Sequence, residues 1–346
     1  MEINPEQIVE ITKKLKPKLS TGHDDISTKL LKESIECIKY PLTHIINRSL
    51  LTGIVPNQLK LAKVIPIYKA SDPTEFKNYR PISILPAFSK IFEKVMYRKV
   101  TSFLNSNNLL YKHQYGFREK HTTIHPILHL LNQCAVNNNS TTKLFTLSIF
   151  CDLSKAFDVI SPDILLNKLN YYGIRGVANR WFASYLSNRK QFVKFEDIQS
   201  DTECINCGVP QGSILGPLLY LIYVNDIYKC TNASILSFAD DTSLIISDTN
   251  LITLYERANV AMRSLFNWFC ANRLSLNPLK TKYMVFKDGS KKCDFTGLNV
   301  MIDGVALEQI GSQFTNKTTK FLGIYMDDSL TWKHHLTHVN NKISCV

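Results

Sequence analysis

The stretch KLFTLSIFCDLS, residues 143–154, is apolar almost without a break from Leu144 to Cys151 and then carries a carboxylate, Asp152. Such a run reads as a strand in the middle of a sheet. A charge that ends a buried strand has no packing reason to be there. The polar VNNNSTT (136–142) precedes the strand as turn material, and Ser161, Pro162 and Asp163 after it open a helix that stops at Gly173. A second helix follows through NRWFASYLSNR, then QFVKF as a strand, the glycine-rich CGVPQGSILGP and an apolar helix to about Val224. SILSFADDTSLII places two β-type arms about an Asp-Asp centre, LITLYERANVAMRSLFNWFCANR has helical apolar spacing, and KYMVF fits a strand. Strand, helix, strand-turn-strand, helix, strand is the order of an α+β fold built on a split βαβ antiparallel sheet, with helices expected on one face.

Upstream the texture differs. Residues 1–50 read as helical, with Ser, Thr and Asp caps in STGHDDISTKLL ahead of an apolar run from Ile26 to Ile38. From Ile54 to Pro86 five prolines break short apolar runs into loops and short strands. SKIFEKVMYRKVTSFLNSNNLL then predicts an amphipathic helix capped by Ser89 and stopped by asparagines. At 346 residues the chain exceeds one ordinary core, so subdomains are expected.

Charge separates the two halves. Residues 1–120 hold 20 Lys and Arg against 11 Asp and Glu, whereas the remainder is nearly balanced, as suits a front half that faces a polyanion. Nine cysteines without a framework suit a reducing, intracellular compartment, and Cys204 and Cys207 have no second pair at zinc-ligand distance. The longest apolar stretch, ILGPLLYLIYV, is interrupted by Gly216 and Pro217 and is too short to span a bilayer, so no membrane partner is expected.

Two adjacent aspartate pairs compete for attention. FADD (238–241) sits between two β-type arms, which predicts a tight hairpin presenting Asp240 and Asp241 at its tip. Asp152 is the best third carboxylate. Phosphoryl transfer over two Mg²⁺ ions needs such hard oxygen ligands, few in number because magnesium keeps waters and substrate phosphates. YMDD (325–328) runs instead into SLTWKHHL, where Asp327, Asp328 and Ser329 occupy helix N-cap positions, so this pair is read as a strand-to-helix cap. His334 and His338 share a helix face without a third ligand.

The blocks FCDLSKAFD, GVPQGSILGPLLYLIYVNDI and FADD resemble the central polymerase motifs of reverse transcriptases from non-LTR (LINE-type) retrotransposons, most like the jockey group. NYRPISILPAFSKIFEKVM, HQYGFREKHTT, LSLNPLKTKYMVF and FLGIYMDDSLTW resemble further blocks of that family, in its order. The resemblance implies a right-hand polymerase with residues 1–50 as a helical extension, 51–140 as fingers, 141–330 as palm, and 331–346 as the start of a truncated thumb or connection. It implies an RNA-directed DNA polymerase acting on an RNA template, a DNA or RNA primer and a deoxynucleoside triphosphate, with two Mg²⁺ and Mn²⁺ as substitute, and a nuclear site of action.

By position, the resemblance makes Asp152, Asp240 and Asp241 the catalytic metal carboxylates and Phe157 an aromatic gate against a 2′-hydroxyl. Gln211 and Gly212 match the loop beside the incoming base and the template, where glycine lets a backbone approach a nucleotide. Lys69 and Arg80 match the cations that grip the triphosphate. Lys280, with Lys282 two residues on, matches a lysine near the leaving pyrophosphate, and Leu322 and Gly323 match the turn that steadies the primer end. Family members carry an endonuclease domain before this region and a thumb after it, which a chain of this length does not accommodate. The alternative reading is therefore a catalytically silent nucleic-acid-binding remnant; a third, an intron-type maturase, is disfavoured by GVPQGSILGP.

Overall fold

The computed structural model describes residues 2–69, 71–287 and 293–344. The helices run α1 (Pro5–Lys13), α2 (Thr28–Thr52), α3 (Ala87–Ser106), α4 (Ile124–Asn139), α5 (Pro162–Tyr171), α6 (Val177–Leu186), α7 (Leu215–Val224), α8 (Leu251–Ala271) and α9 (Lys333–Ser344). The strands run β1 (Leu61–Tyr68), β2 (Tyr79–Ile84), β3 (Phe145–Cys151), β4 (Leu153–Ser154), β5 (Arg189–Phe195), β6 (Ile198–Gln199), β7 (Glu203–Ile205) and β8 (Ser234–Phe238). They continue with β9 (Asp241–Asp248), β10 (Ser275–Leu276), β11 (Lys282–Phe286), β12 (Met301–Ile302), β13 (Val305–Ala306), β14 (Glu308–Ile310), β15 (Thr318–Phe321) and β16 (Ile324–Asp327). The fold is mixed α+β, in two compact units.

The first unit comprises residues 1–110 and 157–223. Ser27 caps α2, its hydroxyl accepting from Leu30 N–H, and Gly53 ends it in the left-handed conformation (φ 75°) that glycine adopts without strain. The helix runs through Pro41, well past the apolar run that announced it, because Ile35, Leu42 and Ile46 stay buried on one stripe. The cap of α3 is Pro86, not Ser89; Ser89 lies inside the helix with its hydroxyl 3.4 Å from buried Glu93. The sheet of this unit has the order β2-β1-β5-β6, with β7 also on β5; β1 pairs antiparallel with β2 and parallel with β5.

The second unit comprises residues 111–156 and 224–346; Cys345 and Val346, the end of the expected thumb segment, lie outside the described residues. Its sheet has the order β14-β11-β3-β9-β8, antiparallel from β11 to β8, the strand order of a split βαβ sheet with β14 added. β3 is central, as its nearly continuous apolar run suggests. Helices cover both faces rather than one. Leu130 and Cys134 of α4 pack with Leu236, Ile245, Met284 and Phe286, while Tyr255 of α8 meets Tyr283, from the alternate set of β11 positions, edge-on at 5.9 Å. A strand apolar at successive positions buries both faces only if both are covered. The eight cysteines among the described residues are free, and no helix there is long and apolar enough to cross a membrane.

Candidate active site

In the second unit, β8 and β9 form a hairpin in which Phe238 opposes Asp241, leaving Ala239 and Asp240 as a two-residue turn. Cys151 of β3 opposes Thr242 of β9. One step further along that register brings Asp152 opposite Asp241, where directly opposed side chains share a face. The Asp152 backbone is held from the other side, its N–H donating to Thr281 Oγ1 (3.3 Å) and its carbonyl accepting from Asn277 N–H (2.9 Å). The structure thus brings Asp152, Asp240 and Asp241 to one end of the central strands.

Among the described residues no ion-pair partner and no hydrogen-bond donor reaches the three carboxylates. The electrostatic consequence falls on Asp241, whose carboxyl is pushed up to about 6, first by desolvation and then by the charges of Asp240 and Asp152. Its side chain still faces solvent. No three His, Cys, Asp or Glu side chains among the described residues form a ready-made metal cage. The trio offers hard oxygens and uncompensated negative charge, the donor chemistry that Mg²⁺ takes, with waters and substrate phosphates left to complete any shell.

The YMDD pair is built otherwise. β15 and β16 form a hairpin whose two-residue turn is Leu322 (φ 47°) and Gly323 (φ 97°), so the two residues matched to the primer-steadying turn do form a turn. Asp327 and Asp328 are buried and spoken for. Asp327 accepts from Ser329 N–H (3.1 Å), Thr331 N–H (3.0 Å) and Thr331 Oγ1 (2.7 Å); Asp328 Oδ2 accepts from Ser312 N–H (3.0 Å) and Ser312 Oγ (2.7 Å). They are not the N-caps of α9, which starts only at Lys333: the turn between strand and helix is long enough to need its own carboxylate.

In the first unit, Lys69 N–H donates to Asn78 O (2.9 Å) and so extends the β1–β2 hairpin. Ile67 opposes Arg80, so Arg80 and Lys69, two residues past Ile67, occupy one face, both exposed. The ring of Phe157 stacks on Tyr220 at 4.8 Å. The Gln211 loop is fixed at several points: Gln211 O accepts from Ser83 N–H (2.8 Å), Gln211 Nε2 donates to Asp158 Oδ1 (2.7 Å), and Val209 N–H donates to Phe157 O (3.0 Å). Gly212 has φ 122°, and a Cβ there would lie 2.5 Å from Ser83 O. Buried Glu93 closes the loop from beneath, accepting from Ile214 N–H (2.6 Å) and Tyr185 OH (2.8 Å), with its carboxyl held above the usual range by burial. Neither Asp158 nor Glu93 stood out in the sequence; Asp158 follows Phe157 directly and Glu93 sits within an apolar helix face, which is the one signal of its role.

Lys280, in the second unit, is exposed and has no ion-pair partner among the described residues, whereas Lys282 is paired with Glu308 at 3.0 Å.

A family model described as "Reverse transcriptase (RNA-dependent DNA polymerase)" matches residues 67–326. The chain is 30% identical, over 96% of its length, to the probable RNA-directed DNA polymerase from transposon BS of Drosophila melanogaster. It is 26% identical, over 97% of its length, to the RNA-directed DNA polymerase from mobile element jockey of Drosophila funebris. It is also 23% identical, over 86% of its length, to the Pol polyprotein from the type-1 retrotransposable element R2 of Popillia japonica. These alignments span 37%, 36% and 42% of the relatives' own lengths. A match over residues 67–326 takes in the β1–β2 hairpin, the Gln211 loop and all three clustered carboxylates, and the chain belongs to the reverse transcriptase family, as carried by non-LTR retrotransposons.

Proposed function

We propose that the chain is the fingers and palm of an RNA-directed DNA polymerase, adding deoxynucleotides to a primer 3′-hydroxyl on an RNA template. In this reading residues 1–50 are a helical extension, 51–140 the fingers, 141–330 the palm, and 331–346 the start of a thumb or connection. The observation that carries it is the meeting of Asp152 with the Asp240–Asp241 turn on adjacent central strands, with no ion-pair partner among the described residues.

Asp152, Asp240 and Asp241 would hold two Mg²⁺, or Mn²⁺, which when bound lower the barrier by activating the attacking hydroxyl and neutralising phosphate charge. Lys69 and Arg80 present a point charge and a planar fork to a triphosphate, and Arg80 suits bidentate contact with phosphate oxygens. Phe157, braced by Tyr220, excludes a 2′-hydroxyl by its bulk. Gln211 and Gly212 form the surface for the templated base, rigid because Ser83, Asp158 and Glu93 fix the loop. Lys280 protonates the departing pyrophosphate, and Leu322 and Gly323 steady the primer end. The primer oxygen attacks the α-phosphate in line and pyrophosphate leaves. Binding of the nucleic acid weakens steeply with salt, as its Lys and Arg contacts displace counterions.

Primer extension on poly(rA)/oligo(dT) with Mg²⁺ tests the reading. Wild type extends and Asp240→Asn does not; RNA binding without extension by the wild-type chain would refute the catalytic reading.

A further inference from the structure

The HQYGFREKHTT block has no role in the reading above, yet its backbone runs beside the hairpin that carries Asp240. Tyr115 N–H donates to Ser237 O (2.8 Å) and Ser237 N–H to His113 O (3.0 Å), so residues 113–115 form a short parallel edge on β8. Gln114, 4% exposed, turns its amide onto Ala239: Oε1 accepts from Ala239 N–H (3.2 Å) and from Gly116 N–H (2.9 Å), and Nε2 lies 3.5 Å from Ala239 O. Gly116 is the condition for this approach, since a Cβ there would fall 2.0 Å from Ala239 N. Ala239 itself holds φ 58°, a left-handed backbone that is strained for an L-residue and persists only where neighbours over-determine it. The residue bonded and crowded in this way is the one that immediately precedes Asp240.

We propose that Gln114 is a positioning residue for the Asp240–Asp241 turn: its side-chain amide locks Ala239 in the left-handed conformation and so fixes the direction in which the two carboxylates meet a divalent cation. The inference rests on the reading of these aspartates as metal ligands. Gln114 touches neither substrate nor metal; it acts through one backbone unit. Outer residues that orient metal ligands typically change affinity by roughly ten- to hundredfold when lost.

The test is Mn²⁺ binding to the full chain, titrated by electron paramagnetic resonance, with urea unfolding of each variant alongside. Gln114→Leu keeps the volume and removes the amide, Gln114→Asn keeps the amide and withdraws it by one methylene, and Gln114→Glu keeps the accepting oxygen. Gln114→Leu and Gln114→Asn are expected to weaken Mn²⁺ roughly ten- to hundredfold, and Gln114→Glu by less. If leucine prevents folding, the asparagine variant gives the reading. A folded Gln114→Leu or Gln114→Asn chain that binds Mn²⁺ within about twofold of wild type, while Asp240→Asn has lost binding, overturns the role of Gln114 alone. Undiminished binding by Asp240→Asn removes the metal reading and this inference with it.

Discussion

Replacing Asp327 by asparagine and by alanine separates a structural carboxylate from a catalytic one. In the folded chain one oxygen, Oδ1, accepts from the backbone N–H groups of Ser329 and Thr331, and Oδ2 accepts from the Thr331 hydroxyl. Asparagine keeps Oδ1 for both backbone donors, and its NH₂ can donate to the same hydroxyl, so only the charge assistance is lost, about 1 kcal/mol. Alanine leaves two half-buried N–H groups unpaired, and at about 1–3 kcal/mol for each such group the variant is destabilised by about 3 kcal/mol. Urea midpoints should therefore rank wild type, then Asp327→Asn close behind, then Asp327→Ala far below, while primer extension by Asp327→Asn stays within a few-fold of wild type. A loss of extension beyond tenfold in Asp327→Asn at an unchanged urea midpoint would refute this reasoning, because the negative charge at position 327, and not its hydrogen bonding, would then be what synthesis needs.

Gly212→Ala should abolish or cut extension by more than tenfold, since its Cβ would meet Ser83 O at 2.5 Å and its φ of 122° is closed to alanine; extension at the wild-type rate would show that the loop tolerates displacement. His113 is held down at about 4 by burial, then by the charges of His129 and Lys112. Between pH 6.5 and 4 the unfolded chain binds a proton there that the folded chain refuses, so stability falls as pH is lowered through that window; partial exposure reduces the full effect of about 3 kcal/mol to about 1–2 kcal/mol. Urea midpoints at pH 7 and pH 4.5 should converge partly in His113→Asn.

The parts of the fold that were legible in the sequence are those governed by local periodicity. The apolar run ending at Cys151 reads as a central strand and the two β-type arms about Asp240 as a hairpin, and both are found. Contacts distant in sequence were not legible. The cover on both sheet faces depends on α4 meeting strands about a hundred residues later, and Ser89 looked like a cap because proline, which ends the loop at Pro86, supplies no capping side chain to recognise. Gln114 and Ala239 lie far apart in the chain, and nothing in either residue type announces the other. Asp158 is not legible either, because a polar residue at that place reads as turn material, and only the fold bonds it to Gln211.

The two aspartate pairs differ in what the fold gives their charges. At Asp327 and Asp328 backbone and hydroxyl donors meet the carboxylates, so the pair holds its own loops together. At Asp240 and Asp241 the donors are absent among the described residues, and burial together with the charges of Asp240 and Asp152 pushes the Asp241 carboxyl up to about 6. A fold that needed these side chains only for structure would be steadier with amides in their places. Charges kept against their surroundings are relieved by a cation, and that difference, which no Asp-Asp dipeptide shows by itself, is why we propose the chemistry at FADD and read YMDD as scaffolding.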